Sequence, residues 1–141
     1  MNMVIEDYCS LEVAKLLKEK GFNEPCRLYY DNYHGYVPIF IADGEFSKYG
    51  YECGDEVRND QNYVSNFVAT APALSLAMKW LREVHHLDII APPQFDSSKW
   101  TYSAIIFKLS IPCTKIRLND NKDKKEEAVE VALKYVLENL I

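Results

Sequence analysis

The stretch ATAPALSLAMKWLREVHHLDI, from Ala69 to Ile89, predicts an amphipathic helix that runs directly into a β-strand. Its apolar residues recur every three or four positions, the spacing that places side chains on one helical face. We expect Thr70 to cap this helix and Pro72 to lie in its first turn, where a missing N–H removes no helical hydrogen bond. The expected buried face comprises Leu74, Ala77, Met78, Leu81 and Val84, widened by Ala73, Leu76, Trp80 and Leu87. So wide an apolar arc predicts packing on two sides, either at the centre of the domain or under an association surface. Trp80 lies at the edge of this arc, so the sequence leaves open whether it is a core residue or a surface one.

Two more helices are predicted, one towards each end of the chain. LEVAKLLKEK follows Ser10, a good N-cap residue, and ends before Gly21, a typical helix stop. EEAVEVALKYVLENLI closes the sequence with an apolar stripe and two glutamates in its first turn. Both patterns are typical of helices that cover one side of a sheet.

A first hairpin is expected between the first two helices. CRLYY (26–30) and YVPIFIA (36–42) are rich in residues favoured in strands, and DNYHG (31–35) between them has the composition of a turn. Pro38 cannot donate to a ladder, so the second strand is expected at a sheet edge.

A second hairpin is expected after the central helix. LDIIAP (87–92) reads as a short strand that ends at two prolines, and WTYSAIIFKLSI (100–111) reads as one long strand. Within it, Thr101, Ser103 and Lys108 are the expected solvent-facing positions. The resulting order, α-β-β-α-β-β-α, predicts a single two-layer α+β domain over residues 1–141. Its sheet is expected to be four-stranded and mostly antiparallel, with the helices on one face.

The segment 42–62 is acidic and shows no periodicity. It contains six acidic residues against two basic ones, in a chain of net charge −5. Binding to a phosphate backbone depends on clustered Lys and Arg, so this charge makes nucleic acid an unlikely partner. We interpret 42–62 as a long loop that is either a solvated surface, a contact for a basic partner or a lid.

The composition of the chain limits which cellular compartment and which cofactors can be expected. No apolar run approaches the about 18–20 residues that a membrane-spanning helix needs, and the N-terminus has no signal-peptide pattern, so a cytoplasmic protein is expected. The four cysteines show no metal-ligand spacing and are read as free thiols, with Cys26 and Cys113 buried and Cys9 and Cys53 exposed. We predict no cofactor, no metal and no catalytic residue.

One stretch imitates a calcium loop. Asn119, Asn121, Asp123 and Glu130 take the first, third, fifth and twelfth positions of that pattern. Lys124 stands where the pattern needs Gly, and neighbouring lysines would repel the ion. Helix capping by Asp120, Asn121 or Asp123 accounts for the same residues.

Tyrosine is the most informative residue type for function. Seven of the ten tyrosines lie between residues 29 and 63. Tyrosine combines an apolar ring with a hydrogen-bonding tip and is enriched at interfaces, although tyrosines in a hairpin also pair across strands for stability alone. The candidate binding residues are Tyr33, Tyr36, Tyr49 and Tyr51.

Three segments, LEVAKLLKEKGFNEPCRLYY, APALSLAMKWLREVHHLDI and EEAVEVALKYVLENLI, resemble a group of small uncharacterised proteins of bacterial genomes and their phages or mobile elements. The resemblance covers most of the chain, except the acidic segment. It implies an intracellular accessory role. The group has no known activity, so it offers no functional residue to carry over to this chain.

Two functions remain open. The first is a noncatalytic protein-interaction module that uses the tyrosines and the acidic segment, either with another protein or as a homodimer. The alternative is a small ligand-binding protein or enzyme in which residues 42–62 form a lid and Cys53, His34 or the acids supply chemistry.

Overall fold

The computed structural model describes residues 7–40, 56–60 and 66–141 of the 141-residue chain. Within these ranges, every strand pairing is antiparallel. The elements in chain order are α1 (Leu11–Glu19), β1 (Leu28–Asp31), β2 (Ile39–Phe40), β3 (Phe67–Thr70), α2 (Leu74–Val84), β4 (Leu87–Ile90), β5 (Pro93–Asp96), β6 (Lys99–Tyr102), β7 (Ile105–Lys108), β8 (Thr114–Arg117) and α3 (Lys125–Asn139). This mixture of helices with antiparallel sheets confirms the predicted α+β class.

The described residues fall into two compact units. The N-terminal unit lies within Tyr8–Pro72, and the C-terminal unit comprises Asp7 and Ala73–Ile141. The N-terminal unit has one helix and one sheet, the C-terminal unit has two helices and two sheets, and each has its own buried residues. The single domain expected from chain length stays a prediction.

The N-terminal unit packs α1 against a three-stranded sheet of order β2-β1-β3. Ser10 caps α1 as predicted, its Oγ accepting from the Val13 N–H at 3.4 Å, and Gly21 follows the helix with a left-handed φ of +91°. The apolar face of α1 buries Val13, Ala14 and Leu17. Both helix-end signals in the sequence therefore act as expected.

The first hairpin is present, and a third strand joins it. β1 pairs with β2 on one side and with β3 on the other, so β2 lies at the edge of this sheet, as Pro38 predicted. β3 was not predicted, because its residues read as the lead-in to the central helix. Its pairing with β1 places Thr70 opposite Tyr29.

That pairing overturns the predicted start of the central helix. Thr70 belongs to the sheet, and α2 begins only at Leu74, with Ala73 as an N-cap that makes no side-chain bond. Pro72 precedes the helix because proline favours extended backbone at the residue before it, which prolongs the strand direction. The Leu74 N–H is satisfied instead by the Asp7 carbonyl at 2.9 Å.

The buried face of α2 agrees with the predicted stripe at its centre. Leu74, Ala77, Trp80 and Leu81 are buried, and Trp80 is only 6% exposed. Val84, expected on the same face, is 53% exposed. It is the last helical residue, after which the chain turns away through His86, whose φ is +57°.

The C-terminal unit contains two sheets. β4, β7 and β8 form a three-stranded sheet of order β4-β7-β8, and β5 pairs with β6 as a separate hairpin. Helix α2 packs on β4, and α3 contacts β4 and β6. Counting the N-terminal sheet, the described strands thus lie in three small sheets, where one four-stranded sheet was expected.

The expected long strand over residues 100–111 was wrong. It breaks at Ser103–Ala104 into β6 and β7, which pair with different partners. The break also reverses the predicted faces, since Thr101 and Ser103 are 7% and 8% exposed whereas Trp100 is 57% exposed. Because β6 belongs to its own hairpin, with α3 against it, its inner face is set separately from that of β7. Lys108 is exposed, as predicted.

Helix α3 carries the predicted apolar stripe. Its buried residues are Ala128, Val129, Ala132, Leu133, Val136 and Leu137. The prediction that Asp120, Asn121 or Asp123 caps this helix was wrong, because the N-cap is Lys124 and makes no side-chain cap bond. Asp123 instead forms an ion pair with Lys99, with 2.8 Å between Oδ1 and Nζ.

In the described ranges, the helices include none with the length and apolarity needed to cross a membrane.

Candidate functional site

The turn between β1 and β2, residues 32–38, is organised by the carboxylate of Asp31. Oδ1 of Asp31 accepts from the backbone N–H groups of Tyr33 and His34, at 3.1 and 2.8 Å. Asn66 donates from Nδ2 to Oδ2 at 3.2 Å. Asp31 ends β1 and is only 5% exposed, so the side chain that shapes the turn is anchored in the sheet.

Backbone bonds complete the turn. The Asn32 N–H donates to the Asn66 carbonyl at 2.9 Å, and the Val37 N–H donates to the His34 carbonyl at 3.1 Å. Gly35 takes a φ of +58°, a left-handed conformation that glycine adopts without a Cβ penalty. The path of this loop is therefore held by hydrogen bonds at both ends and by a glycine in its middle.

Three apolar or aromatic side chains project from this turn. Tyr33 is 82% exposed, Tyr36 is 86% exposed and Val37 is 65% exposed. We call this surface, formed by Tyr33, Tyr36 and Val37, the tyrosine turn. Such exposure excludes a packing role for the two rings within the described structure.

The tyrosines immediately before the turn are buried instead. Tyr30 is 1% exposed and donates its hydroxyl to the Cys9 carbonyl at 2.6 Å, within a core that includes Ala14, Ala69 and Ala71. Tyr29 is 4% exposed and stacks on Phe67, with 5.9 Å between ring centroids. The tyrosine-rich region therefore divides into a structural pair in β1 and an exposed pair in the turn.

Of the four predicted binding residues, the structure places two. Tyr33 and Tyr36 lie together on the tyrosine turn, while Tyr49 and Tyr51 lie outside the described residues. Sequence reasoning missed that the Asp31 carboxylate holds the turn in place. An Asp at the first position of a turn, followed by polar residues and Gly, is the sequence pattern that could have predicted this role.

His34 places an imidazole ring on the turn. Its Nδ1 lies 2.9 and 3.1 Å from the two carboxylate oxygens of Asp31, and its side chain is 57% exposed. A carboxylate that orients an imidazole occurs in catalytic bases and in metal ligands. Within residues 7–40, 56–60 and 66–141, no group of three or more His, Cys, Asp or Glu side chains is arranged to hold a metal ion. The contact with Asp31 fits a bracing role.

The described end of the acidic segment is partly built into the N-terminal unit. Val57 is fully buried and exchanges two backbone hydrogen bonds of 2.8 Å with Cys26. Asn59 donates to the Phe22 carbonyl and accepts from the Thr70 N–H, both at 2.9 Å. Glu56 and Asp60 are exposed. Residues 56–60 are thus neither a free solvated loop nor free to move as a lid, and residues 42–55 lie outside the described residues.

The cysteines differ from expectation at two positions. Cys9 is fully buried and Cys113 is exposed, the reverse of the prediction, while Cys26 is buried as expected. Burial raises the pKa of Cys26 to about 11, the nearby Thr70 hydroxyl acts in the opposite direction, and the nearby charges of Glu24 and Glu56 raise it further. A thiol held protonated in this way is a poor nucleophile. Cys53 lies outside the described residues.

A second exposed aromatic pair was not predicted. Phe95 and Trp100 face each other across the β5–β6 hairpin, with 5.1 Å between ring centroids, and they are 62% and 57% exposed. Their contact is a cross-strand pair, which stabilises a hairpin by itself. No buried acid braces their positions as Asp31 braces the tyrosine turn, so far as the described residues show.

Comparisons with known proteins add no relative. No protein-family model matches the chain, and neither a curated protein nor a solved structure matches it.

Proposed function

We propose that the protein is a noncatalytic interaction module that binds a protein partner through the tyrosine turn. The observation that supports this function is the exposure of Tyr33 and Tyr36, at 82% and 86%, on a loop braced by a buried carboxylate. Tyrosine offers a large contact area with few rotatable bonds, which lowers the entropy lost on binding. A braced loop lowers that cost further.

The partner class follows from the composition of the turn. Two aromatic rings, an aliphatic side chain and a partly exposed imidazole match the apolar centre and polar rim of a protein interface. The turn itself presents no lysine or arginine, so it offers no complement to a phosphate backbone. A second copy of this chain is one form that the partner can take. An intracellular setting and a phage or mobile-element origin are supported by the resemblance of the three helical segments.

The test is a quantitative pull-down from extract of the protein's own cells. The variant Tyr33→Ala/Tyr36→Ala removes both rings, and Phe95→Ala/Trp100→Ala is the matched control, since it removes a similar aromatic area elsewhere. Truncating two central tyrosines is expected to weaken a specific partner by about tenfold or more. The same partner should be retained by the control variant.

A third variant separates the rings from their presentation. Asp31→Ala keeps both tyrosines but removes the acceptor that holds the turn, so it should weaken the same partner less than the double tyrosine variant. Light scattering of each variant shows whether the partner is a second copy of the chain. An unchanged set of partners after loss of both tyrosines, with an unchanged molar mass, would remove the basis for the proposal.

A further inference from the structure

The C-terminal unit contains an open cleft of about 220 Å³. It lies where the β5–β6 hairpin, the start of β7 and the chain after β8 come together. Its lining residues are Gln94, Ser103, Ala104, Ile105, Arg117, Leu118, Asn119 and Asn121. None of them belongs to the tyrosine turn, so this cleft raises a separate question of function.

The walls of the cleft are fixed by backbone hydrogen bonds. Tyr102 and Lys122 exchange two bonds of 2.8 Å, and the Leu118 N–H donates to the Ala104 carbonyl at 3.0 Å. These bonds hold residues 118–122 along the break between β6 and β7. The break that splits the predicted long strand therefore creates the cleft, and the cleft is largely formed before any ligand arrives.

The polar groups of the cleft are one cation and several neutral donors and acceptors. Arg117 is exposed, and its guanidinium makes no ion pair with any acid in the described residues. Gln94, Asn119 and Asn121 contribute amides, and no carboxylate lines the cleft. By contrast, Lys99 and Lys122, which lie nearby in the sequence, are paired with Asp123 and Asp120.

Ser103 adds a nearly buried hydroxyl. It is only 8% exposed, it lines the cleft, and its side chain makes no hydrogen bond to a residue that the structure describes. The cleft leaves its Oγ open to solvent, so a polar atom of a ligand seated beside Arg117 can take the place of water there.

We propose that this cleft binds a small organic monocarboxylate. The planar fork of a guanidinium matches the two oxygens of a carboxylate. A single unpaired cation balances one negative charge, whereas a phosphate dianion would leave charge uncompensated. The accessible lining is mostly polar, and Ala104, Ile105 and Leu118 add a smaller apolar part that suits only a short carbon skeleton. The amides of the cleft accept from or donate to a hydroxyl or amino group. The volume lies below the about 300–1,000 Å³ typical of pockets for drug-sized ligands, which limits the ligand to a few carbon atoms.

The test is a titration of the full-length, isotope-labelled protein with L-lactate, followed by amide resonances in NMR spectra. L-Lactamide is the matched probe, since it has nearly the same shape without the charge. We expect L-lactate to shift the resonances of Ser103, Asn119 and Asn121 with a dissociation constant in the millimolar range, and L-lactamide to bind about tenfold or more weakly.

Variants identify the cation. Arg117→Met should weaken L-lactate binding by about tenfold or more, and Arg117→Lys should restore only part of it, because lysine keeps the charge without the fork. Lys115→Met is the control, since it removes a cation two residues earlier in β8 that does not line the cleft, and it should leave binding nearly unchanged. Spectra of each variant without ligand report whether it is folded.

Three results would overturn the proposal. They are an absence of shifts at the cleft with L-lactate, equal binding of L-lactamide, and inorganic phosphate binding more tightly than L-lactate. None of these results bears on the tyrosine turn.

Discussion

At the residue scale, Trp80 is the largest buried side chain of α2. It is 6% exposed in the C-terminal unit and meets the His85 ring edge-on, with 4.8 Å between centroids. Trp80→Ala should lower the free energy of unfolding by about 3–5 kcal/mol, measured by urea denaturation. Val84→Ala, at a site that is 53% exposed on the same helix, should stay within about 0.5 kcal/mol of wild type. Equal midpoints for the two variants would show that Trp80 is not a core residue.

Cys26 should make stability depend on alkaline pH. Its pKa is raised in the folded state to about 11, chiefly by burial, from 9.0. The unfolded state therefore loses this proton first, so the stabilisation that the buried neutral thiol provides is fully present below about pH 9 and is lost as pH rises towards about 11. The stability difference between wild type and Cys26→Ala, measured by urea denaturation in reducing buffer, should shrink across that window.

The control for this pH effect is Cys113→Ala. Cys113 is exposed in the connection between β7 and β8, so its removal should leave the wild-type pH curve unchanged. A wild-type advantage over Cys26→Ala that stays constant from about pH 8 to about pH 11 would contradict the assignment.

At the element scale, the β5–β6 hairpin turns through two residues with left-handed backbone. Ser97 and Ser98 have φ values of +49° and +84°, as a two-residue hairpin turn requires. A residue with a Cβ costs about 1–2 kcal/mol of folding free energy in this backbone conformation. Replacing it with glycine removes that cost, but part of the gain is lost because glycine loses more chain entropy on folding. Ser98→Gly should therefore stabilise the protein by about 0.5–1 kcal/mol in thermal or urea unfolding. Ser98→Ala keeps the Cβ and should give no gain, so equal stabilisation by both substitutions would exclude strain as the cause.

Elements with signals at both ends could be predicted from the sequence, and those defined by their partners could not. Ser10 and Gly21 bound α1, and the helical period of α3 is visible without any structure. The break between β6 and β7 has no such signal, because Ala104, Ile105 and Ile106 continue an apolar run that suits either one strand or two. Which strand each part joins depends on tertiary pairing, which also decides the side that Thr101 faces.

The candidate site shows the same division. A turn of composition DNYHG predicts that Tyr33 is accessible, and the structure agrees. The brace by Asp31 depends on Asn66, which lies 35 positions away in sequence. Contacts at that separation leave no local pattern, and the cleft beside Arg117 is likewise formed by segments that meet only in the fold.

At the scale of the whole molecule, charge argues against nucleic acid as a partner. The formal net charge is −5, and three of the exposed cations, Lys79, Arg82 and Lys99, are paired with acids. The distance from the side-chain nitrogen to the carboxylate oxygen is 4.0 Å for Lys79 and Glu83, 3.5 Å for Arg82 and Asp88, and 2.8 Å for Lys99 and Asp123. Each acid adds repulsion towards phosphate where a cation would attract it.

The wild-type protein should therefore not bind duplex DNA, measured by fluorescence anisotropy at low salt, where phosphate contacts are strongest. The matched variant is Glu83→Gln/Asp88→Asn/Asp123→Asn, which frees the three cations while keeping the shapes of the side chains. It should acquire weak binding that falls as salt is added, because each phosphate contact releases counterions. Tight wild-type binding with a steep salt dependence would contradict this prediction. If neither the wild type nor the variant bound DNA, repulsion by the remaining negative charge would account for it. The segment 42–62 carries the densest part of that charge.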